Sequence, residues 1–212
     1  MAFFTVVVNQ LSGSLPPDLG VILPNLIGFY VGGNRFTGPI PISLYNASRL
    51  EELELSSIQF SGSIPMKLGR LGGLRLLNLK NNILGSGEAE DMGSLSSLAN
   101  CSLLQILSVT INQLTGALPG STANLSSNLL HLYLGENQLF RSIPSGIDNL
   151  HNLTALTMDS IFMIGRIPEG IGKLSKLQLL HLHKNNFLGE FPSFIGNNTQ
   201  LFSLFLGENN LE

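Results

Sequence analysis

The sequence is poor in tryptophan, cysteine and charge. It has no tryptophan, one cysteine, and 12% charged residues, about half of the usual share of roughly 25%. The lone cysteine, Cys101, excludes an intrachain disulfide. Eleven basic residues against fourteen acidic ones, with no basic cluster, exclude a nucleic-acid-binding surface. The polar surface must therefore come mainly from Asn, Ser, Thr, Gln and Gly.

Long apolar runs are also missing. No stretch reaches the roughly 18 apolar residues that a membrane span needs, so none is predicted. Residues 1–8 are apolar except for Thr5, but they lack the basic start of a signal peptide and Asn9 follows at once, which favours a strand. With 43% hydrophobic residues, the 212-residue chain is long enough for one domain, 1–212, with a sizeable core.

One pattern of about 24 residues repeats along the whole chain. Residues 177–192 show its form, LxxLxLxxNxLxGxIP, with phenylalanine at two of the apolar positions. We call its asparagine position the slot. Slots are spaced by 24 or 25 residues, except for one extended repeat of 30 residues at 82–111. The slots are residues 9, 34, 58, 82, 112, 137, 161, 185 and 209.

Each part of the pattern has a structural reason. Residues three and five before the slot alternate like the inward positions of a short strand. The slot asparagine can bond backbone groups of the loop and form a ladder along the stack. The glycine four residues later permits a tight path, and the apolar residue ten later packs the opposite side. No repeat can bury its own apolar face, so neighbours must stack. The pattern predicts an α/β right-handed solenoid of nine registers, with strands at 77–79 and 107–109 adjacent.

Two motifs carry a resemblance to a known family. The GxIP element at 38–41, 62–65, 116–119 and 165–168 resembles the plant-specific class of leucine-rich repeat. The extended repeat, with Gly87-Glu88-Ala89 and Asn100-Cys101-Ser102, resembles that of plant receptor kinases that include pattern-recognition immune receptors. This resemblance implies a secreted ectodomain, one membrane helix and an intracellular serine/threonine kinase. The last two are not in this sequence.

Several positions depart from the family pattern. The cysteine-paired caps are absent, so we expect a fragment that is uncapped at both ends and poorly soluble on its own. Ile58 and Ile161 occupy slots and should leave loop backbone groups unpaired, at about 1–3 kcal/mol each. Arg141 stands where glycine is expected. In the extended repeat, acidic Glu88, Glu90 and Asp91 favour the start of a helix that loops out on the convex side.

Five Asn-x-Ser/Thr sequons favour glycosylation in a secreted protein. Three lie twelve residues after their slot, and Asn100 is their equivalent in the extended repeat. The five asparagines are Asn46, Asn100, Asn124, Asn152 and Asn197.

The outward strand positions predict a concave face of aromatic, small polar and scattered charged residues, suited to a peptide or protein segment. The predicted ligand-binding patch is His131, Tyr133, Asp159, His181 and His183. Asp159 beside His183 should raise its pKa, so binding of an acidic ligand should strengthen as pH falls. An ordinary solvated face is the alternative. His131 stands too far from His181 and His183 for zinc, and Cys101 falls in an apolar column, so we predict neither a metal nor a cofactor.

Three functions fit this sequence. The first is ligand recognition in a plant receptor-kinase ectodomain, in defence signalling at the extracellular face of the plasma membrane, with a peptide or protein ligand and a co-receptor ectodomain as partners. The second is a secreted inhibitor of a cell-wall hydrolase, and the third a truncated, non-functional remnant. A catalytic role is disfavoured because no nucleophile, base and acid converge, and no phosphate-binding loop or metal cluster occurs.

Overall fold

The computed structural model describes residues 1–87 and 91–212. Its strands are two to four residues long, because each repeat turns sharply after its inward-facing pair. The eighteen strands are β1 Phe3–Thr5, β2 Ser12–Ser14, β3 Gly28–Tyr30, β4 Arg35–Gly38, β5 Glu52–Glu54, β6 Gln59–Gly62, β7 Leu76–Asn78, β8 Ile83–Leu84, β9 Ile106–Ser108, β10 Thr115–Ala117, β11 His131–Tyr133, β12 Gln138–Arg141, β13 Ala155–Thr157, β14 Phe162–Gly165, β15 Leu179–His181, β16 Asn186–Gly189, β17 Ser203–Phe205 and β18 Asn210–Leu211.

The odd-numbered strands form one parallel, nine-stranded sheet in chain order, as the repeat predicts. The register follows the slots: β7 pairs with β9, and Leu77 lies opposite Leu107 across the extended repeat. This confirms the predicted adjacency of those two strands. Because the register never shifts, residues at the same distance from their slots form straight columns across the sheet.

The even-numbered strands form two further parallel sheets along the side of the solenoid. One has the order β2-β4-β6-β8 and the other β10-β12-β14-β16-β18, so the break falls at the extended repeat. Here the register is staggered: Phe140, three residues after its slot, pairs with Phe162, one residue after the next slot. The columns of these side sheets therefore run obliquely.

Short helices line the side of the solenoid opposite the nine-stranded sheet. The α-helices are α1 Leu19–Ile22 and α2 Asp91–Ser97. The 3-10 helices are Ile42–Asn46, Met66–Arg70, Leu98–Asn100, Gly120–Asn124, Ser145–Asn149, Glu169–Lys173 and Ser193–Asn197. The residue ten after the slot packs inward from this side: Leu44, Leu68, Ile147 and Ile171 are all fully buried.

The extended repeat contains the expected helix, and it begins at Asp91. Asp91 is 1% exposed, and its carboxylate accepts hydrogen bonds from the backbone N–H groups of Ser86 at 2.9 Å and Thr115 at 3.2 Å. It therefore ties the insertion to the next repeat, beyond favouring a helix N-terminus. The other two acidic residues of that prediction, Glu88 and Glu90, lie outside the described residues.

The core is a continuous row of side chains between the concave sheet and the convex helices. From β3 to β15 the predicted inward pairs are buried, including Phe29, Leu53, Leu77 and Leu180. Cys101 is also fully buried, its Sγ lies 3.6 Å from the carbonyl of Leu68, and burial raises its pKa to about 11. The sulfur is thus a small core group, as its apolar column predicts.

The slot asparagines form a ladder of hydrogen bonds between repeats. The Asn137 amide donates to the carbonyls of Leu134 in its own repeat and Val109 in the preceding one, and its oxygen accepts from Leu114 N–H. Asn34, Asn82, Asn112, Asn185 and Asn209 bond in the same way. Each asparagine therefore fixes the loop of its own repeat to that of its predecessor.

The two isoleucine slots leave fewer backbone groups without a hydrogen bond than the sequence predicts. The carbonyl three residues before Ile58, that of Leu55, accepts a bond from Asn82 in the next repeat at 2.8 Å. Likewise the Met158 carbonyl, three before Ile161, accepts from Asn185 at 2.7 Å. In the ladder, such a carbonyl can accept from the slot asparagine of its own repeat and from that of the next repeat. Where its own slot is isoleucine, the asparagine of the next repeat still donates to it. Both isoleucines pack into the core instead, at 6% and 3% exposure.

The position four after the slot requires a left-handed backbone in most repeats. Gly38, Gly62, Gly165 and Gly189 have φ between 76° and 93° there. Arg141 occupies the same position with φ of 81°, which a residue with a Cβ adopts only with strain. The arginine is therefore a local defect, as the sequence predicts.

Candidate functional site

A depression of about 490 Å³ lies on the concave face, over β7, β9, β11 and β13. Small side chains, those of Ser108 and Thr110, lie in it between the longer side chains of Lys80 and Tyr133. Lys80 stands at one end, on the β7 repeat, and Asp159 at the other end, on the β13 repeat. The strand columns place these two residues in line, both two residues before their slots.

The depression has an apolar edge and a charged edge. Leu76 and Ile106 form the apolar edge, six residues before their slots. Lys80, Glu136 and Asp159 lie along the other edge. Hydroxyl groups line the space between them, and the Thr110 hydroxyl oxygen is buried without a hydrogen-bond partner among the described residues. Such a surface suits a ligand with both apolar and charged groups.

The structure brings three of the five predicted patch residues together. His131, Tyr133 and Asp159 line the depression, and the His131 and Tyr133 ring centroids are 5.6 Å apart. Burial lowers the pKa of His131 and raises the pKa of Tyr133. Burial thus favours the neutral form of both side chains, and their rings offer amphipathic surface, which is enriched at binding hot spots.

The other two predicted residues lie outside the depression. His181 stacks on Phe205 with ring centroids 4.2 Å apart, and its Nε2 is 2.8 Å from the Ser203 hydroxyl. His183 meets the edge of the same phenylalanine at 5.9 Å. The predicted column of Tyr133, Thr157 and His181 is present in the register, but His181 packs toward β17. These two histidines form a separate aromatic group.

The expected interaction between Asp159 and His183 is not an ion pair at 4.0 Å or less in the described structure. The Asp159 carboxylate is turned toward β11, where a Cβ added to Gly135 would lie 2.6 Å from its Oδ1. The space left by that glycine holds the carboxylate. The negative charge acts on His181 instead, where it partly opposes burial, which lowers that pKa overall.

Glu136 is the lining residue that the strand pattern missed. It directly precedes its slot, where strand alternation would not place a side chain on the concave face. A left-handed φ of 51° breaks that alternation. The backbone conformation, and not the strand pattern, places Glu136 along the depression. The small residues at 108 and 110, between larger ones on the outward strand positions, are the sequence signal that could have located the depression.

The first half of the concave face is different, because its polar groups satisfy one another. The Tyr30 hydroxyl donates to Glu52 at 2.6 Å, and the Asn78 amide donates to Glu54 at 2.6 Å. Burial, followed by the bond to Glu52 and its charge, raises the pKa of Tyr30 to about 12. These polar groups already form hydrogen bonds with one another. The depression therefore has more polar atoms available to a ligand than the first half of the concave face.

Comparison with known proteins gives the family. A profile described as Leucine Rich Repeat matches residues 128–150 and 176–198. The LRR receptor-like serine/threonine-protein kinase EFR of Arabidopsis thaliana is 42% identical over 146 residues, which are 69% of this chain and 14% of that protein. This chain is a leucine-rich-repeat solenoid, and its relatives are plant receptor-like kinases. The solenoid spans about 14% of the length of the first curated relatives it matches.

Solved structures agree with that family. The ectodomain of the plant membrane receptor kinase GASSHO1/SCHENGEN3 from Arabidopsis thaliana, in complex with CASPARIAN STRIP INTEGRITY FACTOR 2, superposes with a TM-score of 0.91 at 36% identity, over 99% of this chain and 24% of that one. The Arabidopsis receptor kinase HAESA, in complex with the peptide hormone IDA and the co-receptor SERK1, gives 0.79 at 28% identity, over 96% and 37%. The fold is therefore that of plant ectodomains.

Four of the five sequon asparagines occupy one position of the solenoid, the last residue of a convex 3-10 helix. Asn46, Asn100, Asn124 and Asn197 are exposed there. Asn152 differs: it is half-buried, its Nδ2 donates to the Ser127 carbonyl at 2.8 Å, and its Oδ1 accepts from Lys176 at 2.6 Å. The four convex sites lie on the side opposite the depression, where glycans would leave it open.

Two further observations concern metal sites and membrane-spanning helices in the leucine-rich-repeat solenoid. Among residues 1–87 and 91–212, no group of three or more His, Cys, Asp or Glu could hold a metal ion. Over the same residues, no helix is long and apolar enough to cross a membrane. The chain has the fold of a leucine-rich-repeat ectodomain.

Proposed function

We propose that this solenoid recognises a peptide or protein ligand as part of a plant receptor-kinase ectodomain. The observation that carries the proposal is the concave depression, which joins an apolar edge, the rings of His131 and Tyr133, and unpaired charges. Relatives of this family are receptor kinases, and similar ectodomains have been crystallised with bound partners. In this proposal the ligand contacts His131, Tyr133 and Asp159, and His181 with His183 form a neighbouring aromatic contact.

The proposal extends to the longer protein. The relatives' names place a serine/threonine kinase in the same polypeptide, so ligand binding outside the cell would control a kinase inside it. The convex sequons support an extracellular location. A co-receptor ectodomain is the second proposed partner, on the precedent of HAESA with SERK1. The subfamily resemblance of the extended repeat supports a role in defence signalling. The hydrolase-inhibitor alternative is not favoured, because the homologues and structural neighbours are receptor kinases.

Peptide binding to the glycosylated chain, secreted from a plant or insect host, tests this function. A randomised peptide library should yield binders whose affinity falls at least about tenfold in Tyr133→Ala, as expected when a hot-spot ring is removed. The matched control is Tyr45→Ala, because Tyr45 lies in a convex 3-10 helix under Lys67 and Arg70. A library without binders, or equal losses in the two variants, would rule out this surface as the ligand site.

A further inference from the structure

Three charged side chains of the depression are outside every ion pair that the described residues form. Lys80 and Glu136 are exposed, Asp159 is half-buried, and within residues 1–87 and 91–212 none of them forms an ion pair at 4.0 Å or less. Some other surface charges are paired, such as Arg75 with Glu51 at 3.1 Å and Lys173 with Asp148 at 3.0 Å. The unpaired charges are separated by sign, with the cation at one end and both carboxylates toward the other.

The spacing of these charges follows from the register. Lys80 and Asp159 belong to the same column, and the chain of pairings from β7 through β9 and β11 to β13 separates them by three strand intervals. At roughly 4.8 Å per interval, the Cα atoms of the two residues are about 14 Å apart, and the Asp159 carboxylate, turned toward β11, lies nearer to Lys80 than its Cα atom does. An extended peptide advances about 3.3 Å per residue, so four residues cover that span.

The strand geometry of a ligand then decides which of its side chains face the sheet. Successive side chains of an extended chain point to opposite faces, so residues i, i+2 and i+4 face the same way. Residue i would meet Lys80, and residue i+4 would meet Asp159 and Glu136. Residue i+2 would enter the gap above Ser108 and Thr110, between Ile106 and the ring of Tyr133, where an apolar side chain fits.

We infer that the depression selects an extended peptide segment with an acidic residue at i, an apolar residue at i+2 and a basic residue at i+4. This inference rests on the proposed function and names the ligand's chemistry. Lys80 contacts the acidic residue of the peptide, and Asp159 with Glu136 contacts the basic one. Ile106 and Tyr133 contact the apolar side chain. The order of the charges along the peptide fixes its direction across the solenoid.

Two synthetic peptides that differ in one charge test the inference by fluorescence anisotropy. One has the core Glu-Ala-Leu-Ala-Lys and the other Glu-Ala-Leu-Ala-Glu, each capped and flanked by glycine and serine. Wild type should bind the first at least about fivefold more tightly, the upper range for exposed charge pairs. The double variant Glu136→Lys with Asp159→Lys should prefer the second peptide. Lys67→Glu, a single charge change on the convex face, should leave the preference as in wild type.

A third peptide separates spacing from net charge. Ala-Glu-Leu-Lys-Ala has the same composition as the first peptide with charges two residues apart, and it should bind at least about fivefold more weakly than the first. Equal binding of all three, or a preference that the double variant does not reverse, would overturn the inference. Thermal melts matching wild type exclude misfolding of the variants. Library binders that depend on Tyr133 but lack the charge pattern would overturn this inference alone and leave the proposed function standing.

Discussion

The side-chain amide of Asn82 donates to the Leu55 carbonyl of the preceding repeat at 2.8 Å. In most repeats such a carbonyl also accepts from its own slot asparagine, but the slot of that repeat is Ile58. Among the described hydrogen bonds, Leu55 oxygen therefore depends on Asn82. The same asparagine accepts from the buried Phe60 N–H at 3.0 Å. One side chain thus stabilises two adjacent loops.

Asn82→Ala should accordingly destabilise the solenoid more than Asn112→Ala. The first change leaves two backbone groups unpaired, Leu55 C=O and Phe60 N–H, at a cost of about 2–4 kcal/mol. The second leaves Leu84 N–H unpaired, at about 1–2 kcal/mol, because the Leu79 and Val109 carbonyls keep their bonds to Asn82 and Asn137. Chemical denaturation of the two variants measures the difference. Equal losses would mean that the ladder does not compensate for Ile58.

Arg141→Gly should stabilise the protein by about 1 kcal/mol. Arg141 has φ of 81°, which glycine adopts without steric cost. The mirror substitution Gly165→Arg, at the equivalent position of the next repeat with φ of 80°, should destabilise by a similar amount. Thermal unfolding of both variants checks the pair. Shifts of the same sign would show that side-chain contacts, and not backbone conformation, decide the effect.

Glycosylation in a secretory host should distinguish Asn152 from the other sequons. Asn46, Asn124 and Asn197 should carry glycans, and Asn100 should do so as well, because all four are exposed at helix ends. Asn152 should be modified least, since its Nδ2, the atom that bears the glycan, is bonded to Ser127. Glycopeptide mass spectrometry gives the occupancy of each site. High occupancy at Asn152 with empty convex sites would contradict this assignment.

Stability should decrease as pH falls through the histidine range. Burial lowers the pKa values of His131 and His181 from 6.5, so the folded state binds fewer protons than the unfolded state. Their contribution to stability is present above pH 6.5 and is lost as pH falls below it. Urea unfolding between about pH 7.5 and 5.5 should show this, and the double variant His131→Asn with His181→Asn should show a flatter profile. A variant slope equal to that of wild type would assign the effect to other groups.

The side sheet should promote self-association in the second half of the chain. Three residues after the slot stand Phe140, Ile164 and Leu188, at 44–51% exposure, where the first half has Thr37 and Ser12. Ile164→Thr should therefore reduce light scattering of concentrated samples, because it shrinks an exposed apolar patch. Thr37→Ile, in the equivalent position of the first half, should increase scattering. No change in either variant would exclude this face as the cause of association.

Much of the fold was predictable from sequence, because the same residue pattern recurs along the chain and each copy indicates the same local structure. The slot spacing predicted nine parallel strands, the pairing of β7 with β9, the asparagine ladder and the inward columns. It also predicted the strained Arg141 and the burial of Cys101. These features depend on distances along the chain and on the rule that no repeat buries its apolar face alone.

The tertiary structure decided what depends on neighbouring repeats. It gave Leu55 a bond from Asn82, which the sequence of one repeat cannot show. It turned Asp159 into the space above Gly135, away from His183, and it placed His181 on Phe205. The sequence determined the columns, because a strand's alternation is local and periodic. Only the structure determined which side chains within those columns meet, because their directions depend on the size of neighbours about 5 Å away on the next strand.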